Sequence, residues 1–271
     1  MDDDHYIPFL KNAHIDTTSF QNGLREEIIK NPAINDETLA GIIYDRAIAK
    51  IIKEPSEPSE NALICRYLTP AKFIKFIDSR QIDFTNATQF SDKWECVIPE
   101  DYNNAVLAIL GEFNRSGTAW GKHVRNKASS WYISCWTQLE EYFDDHLMWV
   151  NYAGGSDGIG ITIRYSQLKA HIPVSLKTID SNRKFQSGLV NYYQNQTISL
   201  LPFNKHPMFK NEKEVRFAFC SVNAKLEPIS VEDIFSMFGV RISPAAKPEY
   251  AELIRRIWCK YGGADRIQHP E

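Results

Sequence analysis

The stretch of this chain richest in chemical potential is Glu212-Lys213-Glu214-Val215-Arg216-Phe217-Ala218-Phe219-Cys220. A strand sends alternate side chains to opposite faces. A strand over 212–220 therefore sets Glu212, Glu214 and Arg216 on one face and Val215, Phe217 and Phe219 on the other. Two carboxylates two residues apart repel, and the repulsion raises the pKa of one unless Arg216 pairs with it. That pattern suits a general base or a group that stabilises a developing positive charge. It also suits a solvated strand face with an internal ion pair.

Other segments add to this set. In Leu63-Ile64-Cys65-Arg66-Tyr67-Leu68, Arg66 shares its face with Ile64 and Leu68. A guanidinium there must meet an anion, since an unpaired buried charge is costly. The anion is either a carboxylate of the chain or a ligand phosphate, which arginine grips in bidentate fashion. Trp131-Tyr132-Ile133-Ser134-Cys135-Trp136-Thr137 places the hydroxyls of Ser134 and Thr137 near a strand end, where they orient a ligand or serve ordinary turn chemistry. Trp149 and Tyr152, three apart on a helix expected over 140–152, share a face there. They form either a stacking wall for a planar ring or part of the core.

Several chemistries are excluded. Ser134 has no adjacent His and no G-x-S-x-G surrounds it, which argues against a serine hydrolase. Gly154-Gly155-Ser156-Asp157-Gly158-Ile159-Gly160 runs from helix into strand, the wrong order for a dinucleotide-binding turn. The five cysteines are widely spaced and the seven histidines scattered, so neither a disulfide framework nor a zinc site is expected. A metal-dependent nuclease would draw loosely on Asp92, Glu95 and Glu212-Lys213-Glu214, and the expectation is that no metal is bound.

Composition bounds the rest. The chain has 271 residues, 43% hydrophobic and 24% charged, with a formal charge of -3. These are ordinary globular values. Near-neutral charge disfavours non-specific coating of nucleic acid. The start lacks a basic, then apolar, secretory signal, and no apolar run is long enough to span a bilayer. A cytoplasmic protein without membrane contact is expected.

The elements that must position these groups read as α+β. The expectation is a mixed, mostly antiparallel sheet with flanking helices and a helical N-terminal extension, because strands and helices mix without regular alternation. Helices are expected over 23–30, from Asn35 or Asp36 to Ile52, over 70–77, 102–113, 140–152, 231–238 and 248–261. Strands are expected over 62–68, 81–86, 131–136, 158–165, 189–193, 212–220 and 240–242. The proline-rich run 54–60 reads as a linker. It divides an N-terminal extension (1–60) from a main domain (61–271).

The order of the segments resembles a bacterial and phage family known as domain of unknown function twenty-nine seventy-one. The resemblance rests on Arg66-Tyr67, the stretch from Phe84 to Asp92, Ser134-Cys135-Trp136-Thr137, Met148-Trp149-Val150-Asn151-Tyr152-Ala153 with Gly158, and Glu212-Lys213-Glu214-Val215-Arg216. It covers roughly residues 62–258. Ser91 and Lys93 depart from its Asn and Pro. The layout also looks like that of ADP-ribosyltransferases of the Arg-Ser-Glu type. This resemblance implies a cytoplasmic NAD-consuming transferase, acting in phage defence or as a toxin, with NAD as substrate and a protein or nucleic-acid acceptor. It implies catalytic roles for Glu214, Glu212 and Ser134. Arg66, Tyr67, Trp149, Tyr152 and Asn86 would bind NAD. The alternative is a non-catalytic module that binds a nucleotide, a nucleic acid or a protein partner.

Overall fold

The computed structural model describes all residues except 1–17, 31, 49–51, 91–95, 97, 99, 141–144, 178–183, 193–197, 200, 222–227, 264–266 and 269–271. Ile51, Ser91, Asp92, Lys93, Glu95 and Tyr193, which the sequence reading used, lie outside the described residues, as does the stretch 141–144 of one expected helix.

Helix α1 (Thr18–Lys30) buries Phe20, Leu24 and Ile28, each four residues from the last. It starts earlier than the expected position 23. Helix α2 (Asp36–Ile42) is capped by Asn35, whose side chain accepts the Thr38 N–H at 2.8 Å. A π-helical stretch, Ile43–Ile48, continues it. Ile52 is not helical but opens the two-residue strand β1 (Ile52–Lys53). Strand β2 (Leu63–Leu68) leads into α3 (Pro70–Ser79). Pro70 takes the first turn as its sequence demands, yet the Thr69 side chain makes no capping bond. The expected strand over 81–86 is two short pieces, β3 (Gln81–Ile82) and β4 (Thr85–Asn86).

Helices α4 (Glu100–Glu112) and α5 (Gly117–Ser129) precede β5 (Trp131–Gln138). The short α6 (His146–Met148) passes into a π-helical turn, Trp149–Ala153, closed by left-handed Gly154. Then come β6 (Ile159–Arg164), α7 (Tyr165–Lys177), β7 (Lys184–Leu189), β8 (Ile198–Ser199) and β9 (Glu214–Cys220). The chain continues through β10 (Ile229–Ser230), a 3-10 turn at Glu232–Met237 in place of the expected helix, β11 (Gly239–Ile242), α8 (Pro248–Lys260) and β12 (Ile267–Gln268).

Two compact units result, and their boundary is not a single point near residue 60. The first unit gathers 1–54, 90–129 and 191–207; the second gathers 55–89, 130–190 and 208–271. The chain passes between the units more than once because Val106, Ile109, Trp120 and Leu201 share a core with the N-terminal helices. The run expected to be a loose linker is laid against the second unit: Pro55 and Pro58 are buried, and the Ser56 carbonyl accepts the Leu189 N–H at 2.7 Å. The first unit's helices share a core of their own, with Leu24, Ile28, Leu39, Val106, Ile109 and Trp120 among its members. Its two short strands β1 and β8 pair in parallel.

The second unit is built on a sheet ordered β12-β11-β6-β2-β5-β9-β7, with β4 also on β5. Every pairing is antiparallel except β11 with β12. Together with its flanking helices it is the α+β architecture expected. One face carries Ile64, Trp136, Ile161, Ile163, Val215, Phe217 and Phe219, packed on Phe73, Leu168, Ile172 and Trp258. Each large apolar side chain so buried contributes about 1.5–3 kcal/mol. Among the described residues no helix is long and apolar enough to cross a membrane.

Candidate functional site

Residues opposite one another in an antiparallel ladder send their side chains to the same face. Two rows of the sheet decide where the candidate residues stand. In one, Glu214 pairs with Thr137, Thr137 with Cys65, Cys65 with Thr162 and Thr162 with Gly239. In the next, Arg216 pairs with Cys135, while Tyr67 pairs with Gly160 and Gly160 with Arg241. These residues share the polar face. Ser134 pairs instead with Phe217, and Arg66 with Ile161, on the apolar face. The structure therefore does not bring Arg66 and Ser134 together with Glu214. The sheet's own thickness divides the expected catalytic set.

Arg66 and Ser134 do meet each other. The Arg66 Nη1 donates to Ser134 Oγ at 3.2 Å and to the Asp83 carbonyl at 3.1 Å. Ser134 Oγ also accepts the Trp136 Nε1–H at 3.0 Å. Both acceptors of the guanidinium are neutral. The Asp83 carboxylate is held by Lys75 at 2.7 and 2.9 Å. Among the described residues no carboxylate stands within ion-pair distance of Arg66. Burial pulls this guanidinium below its usual pKa, with Cys135 and Asp83 acting the other way. It stays charged all the same, as arginine does.

On the polar face, Glu214 and Arg216 form a two-point pair within one strand. Nε donates to Oε1 at 2.8 Å and Nη2 to Oε2 at 3.1 Å. Both are buried, at 4% and 0% exposure. The expectation that Arg216 relieves the carboxylate holds for Glu214. It does not extend to Glu212, which is not on the strand. Lys213 takes a left-handed φ of 44°, so Glu212 ends a 3-10 turn at Pro207–Glu212 and leaves the ladder. Glu212 accepts instead the Tyr152 hydroxyl proton at 2.7 Å. Trp149 and Tyr152 do not share a face. A π-helical turn holds more residues than an α-turn, so a spacing of three no longer aligns side chains. Trp149 is buried (3%) and Tyr152 is 41% exposed.

The ring that meets Trp149 is Tyr67, edge-on with centroids 4.8 Å apart. Around them stand two residues that sequence reasoning passed over. Asp145 Oδ2 accepts the Tyr67 hydroxyl at 2.6 Å and Arg241 Nη1 at 2.6 Å. Gly160 lies between Tyr67 and Arg241 in their row and makes room for the Trp149 ring; a Cβ there would meet Cys65 Sγ at 2.7 Å and that ring at 3.4 Å. Burial pushes the Tyr67 phenol up, helped by Cys65 and Asp145, and pushes the Cys65 thiol up to about 12. Burial alone would lower Arg241, but Cys65, Asp145 and Tyr67 outweigh it and leave it raised. One signal for Arg241 was present: Val240-Arg241-Ile242 repeats the isolated arginine of β2.

Asn86 stands apart from the polar-face group and two residues along β5 from the Ser134 position. It pairs with Tyr132, and its side chain accepts from the Thr88 N–H and hydroxyl at 3.0 and 2.6 Å, shaping a turn. Five residues of β5, about 16 Å at strand rise, separate that row from Thr137. Among the described residues no group of three metal-ligating side chains comes together.

The chain was compared with protein-family models, with curated proteins and with solved structures, and no match was found in any of the three.

Proposed function

We propose that this chain is a binding module for a nucleotide-class anion, with Arg66 as the anion clamp and Ser134 beside it. The observation that carries the reading is the Arg66 guanidinium, held against two neutral oxygens with no carboxylate partner among the described residues. A half-buried cation so placed gains most from an incoming phosphate, which accepts two charge-assisted bonds from one guanidinium. The hydroxyl of Ser134 fixes the direction of the fork. Tyr132, half-buried two residues along β5 on the same face, offers an aromatic ring to a base.

Titration calorimetry with ADP and with NAD tests the reading. Saturable binding is expected, weakened about tenfold or more in Arg66→Met, the scale of a lost hydrogen bond to a charged group. Absence of binding by either nucleotide, or equal affinity in Arg66→Met, would overturn it.

Consumption of NAD by ADP-ribosyl transfer is a second reading, favoured by one observation: Glu214 stands on the same face as Tyr67 and Trp149. A carboxylate on the face that also carries aromatic rings can, once it exchanges a bond to Arg216, bond a ribose hydroxyl and stabilise positive charge at the anomeric carbon as the base departs. Arg66 and Ser134 have no part in it. Release of nicotinamide from NAD, abolished in Glu214→Ala and retained in Arg66→Met, is its signature in mass spectrometry. Unchanged NAD after long incubation with the protein and a cell extract sinks it.

A further inference from the structure

The indole of Trp149 is an unexplained donor. Its ring is almost wholly buried, yet Nε1 has no hydrogen-bond partner among the described residues. An indole N–H can only donate, and a buried donor left unpaired is costly enough that native proteins rarely keep one without a reason. The surroundings narrow what could satisfy it. The Arg241 guanidinium lies 5.6 Å from the Trp149 ring, but its charge is already matched by Asp145. A second anion would leave this buried cluster with excess negative charge. A neutral acceptor would not. Tyr67 and Trp149 add flat apolar surface next to it.

We propose that Trp149 Nε1 receives the carbonyl oxygen of an uncharged amide, from a small molecule or from a peptide backbone, in a site formed with Tyr67, Asp145 and Arg241 on the polar face of the sheet. This site is separate from Arg66. Trp149 is carried on the π-helical turn Trp149–Ala153, a form that recurs at functional sites. It is followed by Gly154 and Gly155, both at positive φ, which side chains would oppose.

The test is a titration of the full chain carrying 15N-labelled indoles, followed by its N–H signals. Trp149→Phe identifies the Trp149 signal; Arg241→Lys, which keeps every indole, identifies it by proximity if the first variant does not fold. N-methylacetamide is expected to move that signal downfield along a saturating curve, while acetate at the same concentrations does not saturate it. An uncharged blocked dipeptide amide separates the sources: tighter binding than N-methylacetamide assigns a peptide, weaker binding a small molecule. An unmoved signal, equal saturation by acetate, or a persistent exchange peak from an internal water on Nε1 would each overturn the proposal. The outcome is independent of ADP binding, so the Arg66 reading stands or falls by its own measurement.

Discussion

Arg66 and Glu214 stand on opposite faces of one sheet, although both lie on strands that flank β5. The register decides this: Glu214 is opposite Thr137, while Ser134, the partner of Arg66, is opposite Phe217. Without a shared partner their effects on stability should add. The double variant Arg66→Met/Glu214→Gln is expected to differ from the sum of the single variants by less than about 0.5 kcal/mol in urea unfolding. A larger coupling would show that the two side chains communicate through the sheet.

How far the sequence reaches is visible in these same residues. The alternation of Val215, Phe217 and Phe219 against Glu214 and Arg216 is legible and holds, as does the common face of Ile64, Arg66 and Leu68. What alternation cannot supply is the offset between strands, since a slip by one residue exchanges the two faces. Lys213 illustrates a second limit. Nothing in its type announces a left-handed backbone, yet that one angle removes Glu212 from the ladder. Helix α5 escaped notice because it buries little beyond Trp120, and α7 because Pro173 sits inside it.

Gly160 is predicted to tolerate no side chain. A Cβ would lie 2.7 Å from Cys65 Sγ and 3.4 Å from the Trp149 ring. Gly160→Ala should destabilise by about 1–3 kcal/mol, the usual cost of overpacking. Near-ultraviolet circular dichroism should change with it, because the displaced ring is Trp149.

His123 gives a pH signature. Its Nε2 is buried without a partner among the described residues, and the ring packs 5.5 Å from that of Tyr44. Burial first, then Lys127, lower its pKa, with Asp45 opposing. The unfolded chain then binds the proton more readily than the folded one. Stability is full above the unfolded value of about 6.5 and falls as acid is added, levelling off below the folded pKa. Unfolding measured from pH 8 to 5 should show this loss in the wild type. His123→Phe should show less of it.

The cysteines should separate by reactivity. Cys65 is wholly buried, with its thiol pushed up to about 12, whereas Cys259 is exposed. The thiolate is the reactive form. Iodoacetamide at pH 8 should label Cys259 and spare Cys65 in the folded protein, as peptide mass spectrometry would read directly. Rapid modification of Cys65 would mean that the polar face opens readily.

The buried prolines of residues 55–60 have a consequence beyond joining two parts of the chain. Strand β7 ends the sheet on one side, and the Ser56 carbonyl occupies part of its outer row of hydrogen-bonding groups. Gly188 lets the run lie close, since a Cβ would come within 2.7 Å of that carbonyl. An unguarded border strand invites pairing with another molecule. Proline, which has no N–H to offer, makes the run itself a poor template for a further strand. Gly188→Val, whose side chain would push the run off this strand, should self-associate through β7, as analytical ultracentrifugation would read, and the wild type should resist doing so.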